Sequence, residues 1–343
     1  MKKLLNTLYV TSFDAYLSLD GENIVISRKD CEDVRVPLHN LEGIVGFGYT
    51  GASPALMGKC ADRGISLTFM TTHGRFLARV IGENRGNVLL RKQQYRISDN
   101  EECSIVYARN MITGKLLNSR SVLERACRDY ALRIDTDGIH QVAEDLKKSA
   151  IIAKETTNLD TLRGVEGKAA VQYFSVFDEM ILQQKESFYF KGRNKRPPLD
   201  NVNALLSFIY TLLAKDVISA LESVGLDPYV GFMHCDVPGR ASLALDMMEE
   251  LRPILADRFV LSLINRKVVN ADGFRKMESG AVIMDDDTRK SVLSSWQKKK
   301  QETIQHPFLD EKVEWGLIPY VQALLLARTI RGDLDEYPPF LAR

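Results

Sequence analysis

Three stretches of this chain carry side chains whose types and spacing can do chemistry. The first is Gly231 to Pro253, GFMHCDVPGRASLALDMMEELRP, in which a histidine precedes a Pro-Gly turn and an amphipathic helix. From Ser242 on, Ala244, Met247, Met248 and Leu251 fall on one side at helical spacing, and Asp246, Glu249 and Glu250 fall on the other. Val237-Pro238-Gly239 cannot continue a helix, so the chain reverses there and folds His234 back towards the start of the acidic stripe. An imidazole beside carboxylates is a constellation for a divalent cation. An ordinary surface helix with a solvated acidic face and an unrelated loop histidine would produce the same pattern.

The second stretch is Leu162 to Phe174, LRGVEGKAAVQYF. As a helix it places Glu166 on one face with Ala169, Ala170, Tyr173 and Phe177, the side that should pack against the protein. A lone buried carboxylate costs several kcal/mol even after relaxation, so it takes a cation, a hydrogen-bonding cage or a metal. Arg163, one turn earlier, can supply an ion pair. Gly164 and Gly167 are poor helix formers, and their presence suggests close approach of another backbone or a ligand. The third stretch, Asn203 to Leu213, is almost wholly apolar except for Asn203, Ser207 and Tyr210, which line up at i, i+4 and i+7. That stripe is either a satisfied core network or the wall of a polar site, where Tyr210 would position a phosphate or a hydroxyl.

The elements that must position these groups follow from composition and periodicity. The chain has 343 residues, enough for one large or two ordinary domains, and 45% hydrophobic content fills their cores. With 46 Lys plus Arg against 45 Asp plus Glu, total charge names no partner, and local clusters must decide. The loop Lys191 to Pro198 carries Lys191, Arg193, Lys195 and Arg196, and Lys298-Lys299-Lys300 forms a second basic cluster. Either could contact phosphates, and either could be a solvated loop. Five scattered cysteines without a CxxC pair argue against a disulfide framework or a zinc knuckle and fit a reducing cytoplasm. No stretch reaches ~18 uninterrupted apolar residues, so no membrane span is expected.

Residues 1 to 86 read mainly as strands, with a helix opened by Ser53-Pro54 and closed by Gly64; from 87 to 343 helical periodicity dominates. The expected fold is α+β: a small N-terminal β-rich domain (1–86) followed by a larger all-α domain (87–343). Helices are expected over Glu101 to Leu117, Ser121 to Ile134, Ile139 to Ala153, Leu159 to about Gln184, Asp200 to Val224 and Ser242 to Leu251. The linker is placed at Gly82 to Gly86, and a turn at His73-Gly74.

LRGVEGKAAVQYF around Glu166, PPLDNVNALLSFIYTLL around Asn203 to Tyr210, and GFMH…GRASLALDMMEELRP around His234 to Pro253 together resemble the CRISPR-associated protein one family, the integrase of CRISPR adaptation. The three blocks span about 90 residues in matching order and spacing, and the β-then-helical layout extends the likeness over the rest of the chain. The ending LDEYPPFLAR is similar to members that accompany type I-C systems.

The resemblance implies an N-terminal domain used for dimerisation, a helical catalytic domain, and a metal site of Glu, His and Asp/Glu, carried here onto Glu166, His234 and Glu249. The third position is Glu249 where other members can carry an aspartate. It further implies homodimers that clamp a dimer of CRISPR-associated protein two. Their substrate would be double-stranded DNA, both protospacer and CRISPR repeat, with each 3′-hydroxyl attacking a phosphodiester at a repeat boundary by transesterification. Two carboxylates and one imidazole suit Mn²⁺ or Mg²⁺. Asp246 is expected to be an auxiliary or water-mediated ligand pointing further towards solvent than Glu249. Lys191, Arg193, Lys195, Arg196 and Arg240 are expected to contact phosphates. A metal-dependent hydrolase of small molecules and a non-catalytic DNA-binding scaffold remain as rivals.

Overall fold

The structure, a computed structural model, describes residues 6–12, 14–29, 31–48, 50–72, 76–82 and 88–342. The turn expected at His73-Gly74 and most of the expected linker, Glu83 to Gly86, lie outside the described residues. The chain divides into two compact units, Met1–Arg85 with Met284–Glu302, and Gly86–Ile283 with Thr303–Arg343. A β-rich N-terminal region is thus followed by a mostly helical one, but a segment near the C-terminal end returns to the first unit.

In the first unit, β1 (Asn6–Val10), β2 (Tyr16–Asp20), β3 (Asn23–Ser27), β4 (Val34–Pro37), β5 (Leu41–Phe47) and β6 (Gly51–Ala52) precede α1 (Pro54–Arg63), β7 (Ser66–Met70) and β8 (Phe76–Val80). They form two four-stranded sheets, ordered β1-β5-β7-β8 and β4-β3-β2-β6. β5 runs parallel to both β1 and β7. It is buried along most of its length, although Gly43 and Gly46 break the β-branched texture of LEGIVGF. The core comprises Leu17, Ile24, Leu38, Ile44, Leu56, Cys60 and Leu67 among others. α1 begins and ends as its residues dictate: Ser53 accepts from the Leu56 N–H, Pro54 is the first helical residue, and Gly64 stops the helix at φ 66°.

The second unit contains α2 (Val88–Ser98), α3 (Glu101–Tyr130), α4 (Thr136–Glu155), α5 (Leu159–Ser175), α6 (Asn201–Val224), α7 (Ser242–Met248) and α8 (Arg258–Asn265). Short strands β9 (Phe274–Lys276) and β10 (Val282–Met284) then lead into α9 (Asp286–Gln301), whose residues belong to the first unit. β11 (Thr303–Gln305), β12 (Lys312–Glu314) and α10 (Ile318–Arg331) complete the chain, and the β11–β12 ladder interrupts what was expected to be an all-α region.

α3 is one 30-residue helix where two were expected, broken near Leu117 to Ser121. Asn118 does not break it because tertiary partners engage its amide: Nδ2 donates to the carbonyls of Glu250 and Phe340, each at 2.7 Å, and Oδ1 accepts from the Ala342 N–H at 2.9 Å. α4 and α5 pack on α3, while α6 packs against α7, α8 and α10. α6 is long and apolar enough to cross a membrane by composition, but Val202, Leu205, Leu206, Ile209 and Leu213 are buried in the helical core.

Candidate functional site

α7 ends at Met248, short of the Leu251 expected from periodicity, and Arg252–Asp257 forms a π-helical turn. Pro253 supplies the reason. It has no N–H to continue the ladder, and its ring would crowd the carbonyl of Glu249 four residues before it. The widened turn is followed directly by α8, so Glu249, Arg252 and Asp257 come from a locally rewound backbone rather than from one helical face.

The acidic stripe does not face solvent. Asp246 is 1% exposed, Glu249 3% and Glu250 0%, and each has its own set of partners. Helical spacing separated them correctly from Met247 and Met248, but those apolar residues are buried as well, so α7 is enclosed on all sides.

Glu249 and Glu166 converge on one cation, the ammonium of Lys115 from α3. Nζ of Lys115 is 2.7 Å from Glu249 Oε2 and hydrogen-bonds Oε1 of Glu166; Glu249 Oε1 is 2.7 Å from Arg252 Nη1. Burial opposes the charge on Glu249, but Arg252 and Lys115 outweigh it and hold the carboxyl down to about 2. Burial likewise disfavours the Lys115 charge, and the Glu249 and Glu166 carboxylates reverse the balance and raise it. The Arg163–Glu166 pair that the spacing allowed does not form: Arg163 bonds Asp160 at 2.6 Å and the Met233 carbonyl at 2.7 Å. A Cβ added at Gly164 or Gly167 would meet nothing within 4 Å beyond the helix's own backbone, so neither glycine is required by a close contact.

His234 is held by Asp246. Oδ1 of Asp246 accepts from the His234 N–H at 3.1 Å and lies 2.5 Å from Nδ1, while Oδ2 accepts from the Phe232 and Met233 N–H groups at 2.7 and 2.9 Å. With Nδ1 engaged, Nε2 is the ring nitrogen left to meet a ligand. His234 is near enough to Glu249 for its charge to favour the ionised carboxylate.

A cavity of about 520 Å³ opens beside these groups, lined by Lys115, Glu166, Arg193, Tyr210, Arg252 and Asp257 among others. Asn203, Ser207 and Tyr210 do form a polar stripe, and Arg193 reads most of it. Its Nη1 donates to Asn203 Oδ1 at 2.6 Å, its Nη2 donates to Ser207 Oγ at 3.1 Å, and its guanidinium lies 5.3 Å from the centre of the Tyr210 ring. The Tyr210 hydroxyl donates to Asp257 Oδ1 at 2.6 Å.

The basic residues are not equivalent. Lys191, Arg193 and Lys195 line the cavity; Arg196 is exposed outside its lining. Burial of its stem, with Arg252 and Arg193 nearby, lowers Lys195. Arg240 donates to the Cys235 carbonyl and does not line the cavity. The Lys298-Lys299-Lys300 cluster lies in the first unit, where Lys300 is 4% exposed and Lys299 pairs with Glu302 at 2.5 Å.

Lys115, Arg252 and Asp257 are site residues that sequence reasoning missed. Lys115 lies three and four residues after the buried Ile112 and Met111, and Asp257 ends the apolar run Ile254-Leu255-Ala256. Each is a charge on an apolar stripe, the same signal that singled out Glu166.

Among the described residues no three His, Cys, Asp or Glu side chains form a ready-made cation cage. The donor set nevertheless fits a hard divalent ion. Glu249 Oε2 is buried with no well-directed hydrogen bond although Lys115 Nζ is 2.7 Å away, and the Glu166 carboxylate shares the same counter-charge.

The sequence profile of the family described as CRISPR associated protein Cas1 matches residues 8–298. The chain is similar to the CRISPR-associated endonuclease Cas1 1 of Chlorobaculum tepidum, 51% identical over 343 residues and all of both chains. It is 51% identical to the CRISPR-associated endonuclease Cas1 2 of Rhodospirillum rubrum over 348 aligned positions, covering 99% of each. Among solved structures it shares the fold of TM1797, a CAS1 protein from Thermotoga maritima, with a TM-score of 0.81 and 22% identity over 96% of this chain and 97% of that one. A casposase bound to integration product gives a TM-score of 0.82 and 20% identity over 99% and 95%.

Proposed function

Because the chain belongs to the CRISPR-associated protein Cas1 family, we propose that it is a metal-dependent nuclease and integrase of CRISPR adaptation. It joins the 3′-hydroxyl ends of short foreign DNA duplexes into the CRISPR repeat array by transesterification. The observation that carries this reading is the convergence of Glu166 and Glu249 on Lys115 beside a cavity walled by Lys191, Arg193, Lys195 and Arg252.

Glu166, Glu249 and Nε2 of His234 would hold the divalent ion, Mn²⁺ or Mg²⁺. The chemistry such an ion would supply there is polarisation of a scissile phosphate and a lowered pKa for the attacking hydroxyl. Glu249 is already ionised at any working pH, so it presents charge without first losing a proton. Asp246 fixes the imidazole through Nδ1 and thereby selects Nε2 as the donor. Lys115, in the cavity wall, neutralises the two carboxylates and can donate to a phosphate oxygen once they are otherwise occupied.

The partners follow from the same reading. A homodimer formed through the β-rich region clamps a dimer of CRISPR-associated protein two, whose complexes with Cas1 are among the structural neighbours. The protein acts in the cytoplasm, consistent with the free cysteines found among the described residues. The C-terminal LDEYPPFLAR supports assignment to a type I-C system.

The test is strand transfer of a labelled duplex into a repeat-containing plasmid with Mn²⁺. Glu166→Ala and His234→Ala should each abolish joining and leave the circular dichroism spectrum unchanged. Normal joining by either variant would sink the site. Duplex affinity should also fall with salt, by roughly 0.9 in log K per log unit of salt for each phosphate contact.

A further inference from the structure

Tyr210 has an unusual set of neighbours. Its ring carries two guanidiniums, Arg193 at 5.3 Å and Arg252 at 5.2 Å from the ring centre, and both arginines line the cavity. Its hydroxyl donates to Oδ1 of Asp257 at 2.6 Å, and Asp257 lines the same cavity. Asp257 is 1% exposed at the end of the π-helical turn, and the equally buried Tyr173 hydroxyl from α5 lies beside it without a well-directed hydrogen bond. Two like charges thus flank one ring whose hydroxyl is tied to a buried carboxylate. Cation–π contacts of this kind add modest energy, whereas gathering two guanidiniums costs repulsion. The use of the arrangement lies in presenting the remaining guanidinium N–H groups of both arginines to an anion in the cavity.

We propose that Asp257 is a positioning residue of this site, holding Tyr210 so that its ring carries Arg193 and Arg252 as a two-guanidinium clamp for a DNA phosphate adjoining the one that reacts. The inference rests on the proposed nuclease and integrase reading for the identity of the ligand. Arg252 joins the clamp to the metal-binding groups, because the same guanidinium pairs with Glu249 at 2.7 Å. Arg193 is fixed at its other edge by Asn203 and Ser207, so both arms are preorganised before DNA arrives. Asp257 lines the same cavity and bonds the Tyr210 hydroxyl there. The groups that face it are Tyr210 from α6, Tyr173 from α5, Arg193 from the basic loop and Arg252 from its own turn. Burial raises its carboxyl to about 6 against the pull of those partners, so its charge is lost within an accessible pH range.

The experiment is a double-mutant cycle on duplex binding by the full chain, with a short fluorescent DNA duplex in EDTA, so that the readout needs neither metal nor joining. Asp257→Asn and Tyr210→Phe should each weaken binding by about tenfold, the scale of one lost charge-assisted contact. Their combination should be no worse than either alone. Wild-type affinity should fall as pH drops through about 6 and the Asp257→Asn variant should lack that step. Additive losses, no loss in the Tyr210→Phe variant, or a pH step surviving in Asp257→Asn would each overturn the proposal. Should Asp257→Asn fail to fold, Tyr210→Phe with and without Arg193→Ala decides it by the same non-additivity. A wild type that binds the duplex through this cycle but joins nothing with Mn²⁺ would overturn the integrase reading and leave the clamp standing.

Discussion

Asp246 grips His234 at two points, with one carboxylate oxygen receiving both the backbone N–H at 3.1 Å and Nδ1 at 2.5 Å. With the Phe232 and Met233 N–H groups on its other oxygen, the carboxylate accepts four contacts while 1% exposed. Asp246→Asn would turn an NH₂ group towards donors that have no other acceptor. The variant should lose about 1 to 3 kcal/mol of stability and most strand transfer, and added Mn²⁺ should not restore it. Thermal melting and strand transfer over a Mn²⁺ series check this; full activity at high Mn²⁺ with an unchanged melting temperature would contradict it.

Lys115 is the counter-charge of both Glu166 and Glu249, so removing it exposes what the carboxylates need. Lys115→Met should destabilise the metal-free protein by about 3 to 5 kcal/mol, the usual cost of stranding a buried charge, reduced here because Arg252 still pairs with Glu249. A cation that binds the folded state at a hundred times its Kd returns about 2.7 kcal/mol. The melting temperature of Lys115→Met should therefore rise more with Mn²⁺ than that of the wild type. Equal shifts in differential scanning fluorimetry would mean that Lys115 and the metal do not compete for the same carboxylates.

These groups show where a linear sequence is legible. Glu166 was readable because a carboxylate on an apolar helical face is an energetic anomaly visible from spacing alone. Its partner was not, since Arg163 is the near neighbour in sequence while Lys115 arrives from a helix 51 residues earlier. Periodicity set Asp246, Glu249 and Glu250 apart from the apolar stripe, but nothing in it reports partners such as the Phe232 N–H, Arg252 or Gln322, so a solvated face could not be told from a buried one. The β-then-helical order was legible from texture. The return of Met284–Glu302 to the first unit was not, because α9 has an ordinary amphipathic sequence and only long-range packing assigns it.

The pH response of stability should be set by two raised carboxyls. Burial, only partly offset by hydrogen bonds from Tyr337, Gln322 and the Phe340 N–H, pushes Glu250 up to about 7. Burial also pushes Asp257 to about 6 against Tyr210 and Tyr173. A group whose folded pKa is raised contributes fully below its unfolded pKa and loses that contribution as pH rises through the folded value. Stability should therefore decline between about pH 4 and about pH 7, with Glu250 contributing a slope of at most about 1.4 kcal/mol per pH unit. Glu249 acts in the opposite sense, but its window lies below the ordinary carboxylate value, towards about 2. Glu250→Gln, compared with wild type by urea melts across that range, should have the shallower decline even where its absolute stability is lower. Parallel curves would remove Glu250 from this role.

Gly231 tests whether the His234 brace governs the site from a distance. It touches none of the groups proposed to hold metal, and its backbone is not in a conformation reserved for glycine. A Cβ there would stand 2.8 Å from Oδ2 of Asp246 and 2.9 Å from the carbonyl carbon of Ser242. The second is backbone at the start of α7, fixed by the Leu243 and Ala244 N–H bonds to the Pro228 carbonyl, so the easier group to displace is the Asp246 carboxylate. Moving it frees Nδ1 of His234 and the three N–H groups from 232 to 234 together. Gly231→Ala should cost about 1 to 3 kcal/mol as an overpacked core position. It should also lower strand transfer far more than a stability loss of that size explains at a temperature where the variant stays folded. Nuclear magnetic resonance of the His234 ring gives the independent check, because loss of the Asp246 contact changes which ring nitrogen carries the proton. A variant with reduced melting temperature, an unchanged His234 tautomer and wild-type joining would show that the glycine serves packing alone.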